Sequence, residues 1–84
     1  MSSRLDVIHR QDCPLCDEMI EALRVLGQEH RLPPVNVVDV DGDPELARRF
    51  GFDVPVLLLD GTVVCRHRLD GVELLRLLRP APHA

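Results

Sequence analysis

The chain has 84 residues, a net charge of −4 with histidines neutral and 45% hydrophobic residues, which describes one small globular domain rather than a disordered segment. Its ten basic residues are all arginine, so lysine chemistry such as a Schiff base or a phosphate-loop lysine is excluded. Two Phe, no Tyr, no Trp and no basic surplus argue against nucleic acid as a partner, because base stacking and a phosphate-binding face are both missing.

Leu5 to His9 reads as a first strand, with Leu5, Val7 and Ile8 suited to burial on both faces. Arg10-Gln11-Asp12 is a loop, and Pro14 fits the first helical position, where its missing N–H costs nothing. Leu15, Met19, Ala22, Leu23 and Leu26 recur at helical steps and mark an amphipathic helix with Asp17, Glu18 and Glu21 on its other side. Gly27 either ends this helix or is passed by one further turn, and Pro33-Pro34 forbids continuation. Val35, Val37, Val38 and Val40 form a β-branched second strand. Asp43 then caps a short helix opened by Pro44, with Leu46, Ala47 and Phe50 inward, Arg48-Arg49 outward and Gly51 at its end. Val56 to Leu59 is an apolar third strand suited to a central place. Asp60-Gly61 is a hairpin signal that returns the chain as a fourth strand, Thr62 to about Arg66. Leu69, Val72, Leu74, Leu75 and Leu78 give a last helix capped by Asp70, and Pro80-Ala81-Pro82 stops it. The order is β-α-β-α-β-β-α, an α/β domain with a four-stranded mixed sheet flanked by three helices on both faces. Two helical crossovers make strands one to three mutually parallel and leave the fourth antiparallel. Residues 1–84 form one domain with an ordered core at about 5–79.

Cys13-Pro14-Leu15-Cys16 carries the chemistry. A cysteine at a helix start meets unpaired backbone N–H groups and the positive end of the helix dipole, and both favour thiolate over thiol. The thiolate is the attacking species. Cys16 lies one turn further along the same helix, so its sulfur reaches Cys13 with little backbone movement. Asp12, Asp17 and Glu18 oppose the thiolate and make it less acidic than charge-free surroundings would.

Three cysteines do not make an extracellular disulfide framework. Met1-Ser2-Ser3-Arg4 is not a secretory signal and no run spans a bilayer, so a cytoplasmic protein without membrane contact is expected. Cys-x-x-Cys is also half of a zinc site, but zinc takes four ligands and no second pair exists. His9, Cys65 or His67 would complete a site only by coincidence of fold, and no metal is expected. Cys65 reads as a buried strand residue, or as a thiol close to the dithiol.

This element order, with the dithiol after strand one and Val54-Pro55 before strand three, resembles the thioredoxin superfamily. The start at the active-site strand, the Cys-Pro-Leu-Cys run and the stretch Asp53 to Gly61 resemble its small bacterial glutaredoxin-like branch. The resemblance implies that Cys13 is the nucleophile, Cys16 the resolving cysteine and Pro55 a cis-proline facing them. It implies a substrate groove of Pro14, Leu15, Val54, Pro55, Arg66 and Asp70, in which the Val54 backbone pairs with an extended substrate. Glutathione-using relatives carry a Gly-Gly pair and an acidic residue after strand four. Here Cys65-Arg66-His67-Arg68-Leu69-Asp70 keeps the acid and lacks the glycines, and Arg10 stands in for a lysine often found before the dithiol.

The resemblance thus implies a monomeric thiol-disulfide oxidoreductase that needs no cofactor. Its partner is a disulfide-bearing protein or a small thiol, with glutathione as substrate or reductant disfavoured by the missing glycines. The alternatives are a thioredoxin-fold binding module without turnover and a cysteine-based metal site.

Overall fold

A computed structural model describes residues 2–79. The elements are β1 (Leu5–His9), α1 (Pro14–Glu29), β2 (Val35–Asp39), a 3-10 turn (Val40–Gly42), α2 (Pro44–Phe50), β3 (Val56–Leu59), β4 (Thr62–Arg66) and α3 (Gly71–Leu78). They build one four-stranded mixed sheet in the order β2-β1-β3-β4, with the expected β-α-β-α-β-β-α succession. The expected stop at Pro80-Ala81-Pro82 lies outside the described residues.

Strand direction departs from the sequence expectation. β1 and β2 are parallel, but β3 runs antiparallel to β1, with Ile8 opposite Val56 and Leu5 opposite Leu59. A parallel β3 would need the connection from β2 to carry the chain back along the sheet. The 3-10 turn and the seven-residue α2 do not. They keep the chain at the end where β1 and β2 finish. Arg10, just past β1, donates to the Gly51 carbonyl just past α2 at 2.9 Å. β3 therefore starts at that end and runs back. β4 then pairs antiparallel with β3 through a turn in which Asp60 and Gly61 have φ of 50° and 86°. Two positive φ values in succession make the turn that matches strand twist, and Asp-Gly is the pair that tolerates it.

Alternation along the strands divides the core between two faces. Leu5, Val7 and Leu57 meet Met19 and Leu23 of α1 and Leu74 of α3. Ile8, Val56 and Leu58 meet Val40 and Phe50 from the other side. The central strands β1 and β3 are thus covered on both faces, as their continuous apolar runs require. Two side chains read as inward are turned out. Leu15 is 38% exposed at the start of α1, and Val72 is 83% exposed in the first turn of α3, where Leu74 takes the inner place. Val40 leaves the second strand and is buried in the 3-10 turn. Gly27 is passed within α1, which ends at Glu29.

Candidate active site

β1 delivers the chain to the dithiol through a tight corner. Asp12 has φ of 58°, a left-handed conformation that Asp accepts more readily than bulkier residues. Cys13 follows with φ −119° and ψ 100° and is the N-cap of α1. Its sulfur takes the cap bond itself: the Cys16 N–H donates to Cys13 Sγ at 3.2 Å. The Asp17 N–H donates to the Cys13 carbonyl at 3.1 Å, which closes the first helical turn. Pro14 fills the position where no donor is needed.

The two sulfurs are within bonding distance, and the Cα atoms are 5.2 Å apart, within the ordinary disulfide range. Their surroundings differ. Cys13 is half-buried, whereas Cys16 is fully buried beside Met19 on the inner side of α1. Pro14 and Leu15 between them are exposed.

The Val54–Pro55 peptide bond is cis, and Pro55 is buried. Val54 is half-buried. Because Val56 pairs with Ile8, Pro55 lies level with the last residue of β1, at the sheet end that carries the dithiol. The Pro55 carbonyl accepts the His67 N–H at 2.7 Å, and His67 has φ of 68°. A histidine thus holds a left-handed position that glycine occupies at no steric cost. Arg66 is exposed, with Nε 3.8 Å from an Asp53 carboxylate oxygen, and His67 Nε2 lies 4.0 Å from the other. Asp70 caps α3 by accepting the Glu73 N–H at 3.0 Å.

Arg10, read as a substitute for the missing lysine, is engaged elsewhere. Its guanidinium donates to both Asp41 carboxylate oxygens, at 2.9 and 3.2 Å, and to the Gly51 carbonyl. The Arg10 guanidinium holds the Asp41 carboxyl below its ordinary value. No sequence pattern marks this clamp, because its members are far apart in the chain and each reads as a surface charge or a cap.

Cys65 carries a free, half-buried thiol on β4, opposite Leu57. Burial pushes it up, the Asp70 N–H at 3.5 Å opposes that, and the Asp70 charge adds to it. Between α1 and the loop after β4 is a cleft of about 250 Å³ with Met19, Ala22 and Leu69 as its apolar lining and Glu18, His67 and Arg68 as its polar one. Among the described residues, no three ligand-type side chains gather as a metal site, and no helix is long and apolar enough to cross a membrane.

This architecture, with the cysteine pair and the cis-proline at the same end of the sheet, was compared with known proteins. Residues 4–79 match the family model described as Glutaredoxin-like domain (DUF836). The chain belongs to this glutaredoxin-like family. Protein Ne2328 from Nitrosomonas europaea, solved in solution, is 32% identical, with a TM-score of 0.80 over 92% of each chain. Protein XcR50 from X. campestris, also solved in solution, is 32% identical over 100% of both chains, with a TM-score of 0.65. Reduced desulfothioredoxin from Desulfovibrio vulgaris Hildenborough is 29% identical, with a TM-score of 0.66 over 93% of this chain and 80% of its own. The glutaredoxin-like domain is therefore a member of the thioredoxin superfamily, and its fold class is the one its sequence implies, apart from the direction of β3.

Within this glutaredoxin-like domain the structure brings Cys13, Pro14, Leu15, Cys16, Val54, Pro55 and Arg66 to one end of the sheet. Asp70 lies on the loop that leaves that end and is occupied as a helix cap. Phe52, which sequence reasoning passed over, is 99% exposed two residues before Val54. Its only sequence signal is an aromatic between a helix cap and the Asp53-Val54-Pro55 stretch, outside any apolar period.

Proposed function

We propose that this glutaredoxin-like domain is a thiol-disulfide oxidoreductase whose dithiol exchanges with protein disulfides or glutathione mixed disulfides. One observation carries the reading: an amide N–H points at the sulfur of the more accessible cysteine, with the buried cysteine in bonding range behind it. An N–H donor and the helix dipole favour the charged form of Cys13 once the pair is reduced.

The Cys13 thiolate attacks one sulfur of a substrate disulfide. A Cys13–substrate bond forms, the substrate S–S bond breaks, and the departing thiolate takes a proton from solvent. Cys16 then attacks Cys13 Sγ. The Cys13–Cys16 bond forms, the mixed disulfide breaks, and the proton lost by Cys16 goes to the released thiol. Two electrons pass from the dithiol to the substrate, and a second thiol reductant returns them. Pro14 and Leu15 flank the attacking sulfur, Val54 and Pro55 face the substrate backbone, and Arg66 sits at the rim. Asp70 shapes the loop as a cap rather than offering a wholly free carboxylate. The steps call for no metal or organic cofactor and fit a monomer in a reducing, cytoplasmic setting.

Cys16→Ser is expected to accumulate a mixed disulfide with insulin or with glutathione, seen as an added mass on Cys13. Cys13→Ser is expected to lose turnover. Wild-type turnover with no adduct on Cys16→Ser would show that the roles are wrongly assigned.

A further inference from the structure

Phe52 is one of only two aromatic residues in the chain. Phe50 is buried at 3% exposure, while Phe52 is 99% exposed. A side chain with no intramolecular burial contributes nothing to the core, so its apolar surface remains available for an outside contact.

The turn that presents it is held on both sides. The Asp53 N–H donates to the Phe50 carbonyl at 2.8 Å, and Arg10 donates to the Gly51 carbonyl at 2.9 Å. The Asp53 carboxylate faces Arg66 and His67. Phe52 is therefore offered on a tied turn rather than a loose loop. That turn is joined through Arg10 to the segment leading into the dithiol, and Cys13 is three residues on, within about 10 Å of Arg10 along the backbone at most. Val54 and Pro55 follow it directly. On the other side of Cys13, Pro14 and Leu15 are exposed as well.

We propose that Phe52 is a specificity-determining anchor that selects polypeptide disulfides. It takes an apolar side chain from the segment flanking the substrate cysteine, while Leu15 meets the segment beyond the reacting sulfur. The proposal rests on the reading of Cys13 and Cys16 as an exchange site and adds its substrate class. A small disulfide held at Cys13 has no apolar side chain to reach Phe52, so the anchor distinguishes the two classes. It acts on binding rather than on the sulfur chemistry.

The test compares wild type, Phe52→Ala and Phe52→Leu in the reduction of insulin and of bis(2-hydroxyethyl) disulfide. Phe52→Ala is expected to raise KM for insulin about tenfold, the scale of one lost aromatic contact. Its kcat for insulin, its rate on the small disulfide and its redox potential are expected to stay at wild-type values. Phe52→Leu is expected to restore most of the insulin KM. Wild-type turnover with an unchanged insulin KM in Phe52→Ala overturns the anchor alone, as does an equal loss on both disulfides. A wild type inert toward both overturns the oxidoreductase reading and the anchor with it.

Discussion

Gly51 has less room for a side chain than any other glycine of the chain. A Cβ there would collide with the Ala47 carbonyl oxygen, which already accepts the Gly51 N–H. Gly51→Ala is expected to destabilise the fold by about 1–3 kcal/mol, read from denaturant midpoints. It is also expected to disturb the carbonyl that Arg10 holds. Leu74 is fully buried on the inner side of α3, so Leu74→Ala is expected to cost about 2–5 kcal/mol, whereas Val72→Ala at an exposed position is expected to stay within about 0.5 kcal/mol. The contrast shows what a one-dimensional pattern resolves. The apolar residues of the last helix were legible as a set, but the cap at Asp70 fixes which of them faces the sheet. The dithiol was legible because its chemistry is local: cap, proline and both cysteines are adjacent in sequence. The Arg10 clamp and the exposed Phe52 were not, because each depends on where distant segments meet.

Element boundaries followed the caps closely. Asp43 and Asp70 accept bonds from Glu45 and Glu73, and α2 and α3 begin where those residues indicated. Asp70→Ala is expected to cost about 1 kcal/mol through the lost cap. Thermal unfolding checks this, and the Cys65 thiol offers a second readout because the same loop donates to it. The direction of β3 was not legible. A helix between two strands usually returns the chain for parallel pairing, and only the short reach of α2 together with its tie to Arg10 shows that this one does not. β2 illustrates a further limit. Its β-branched run marks a strand but not its place, and it forms a sheet edge with Val35 and Val37 exposed.

At the scale of the molecule, most ion pairs among the described residues are exposed, and three of them depend on pH. Arg10 lowers Asp41, Arg24 lowers Glu21 and Arg76 lowers Glu73, each first through a side-chain hydrogen bond. Carboxyls lowered in the folded state contribute stability above their ordinary values, 3.8 for Asp and 4.5 for Glu, and lose it as pH falls through the folded values. The denaturant midpoint is therefore expected to drop between about pH 7 and about pH 3, and Asp41→Asn is expected to narrow that drop. An unchanged gap in Asp41→Asn would show that the clamp does not couple acid to folding. The functional reading depends on a different charge, the one on Cys13. Iodoacetamide alkylation of the reduced protein, followed by site across pH, tests it most directly. Cys13 is expected to react fast, with a midpoint below the free-thiol value of about 8.5, while Cys65 reacts slowly and only at higher pH. A Cys13 as slow and as alkaline as free cysteine would contradict the account.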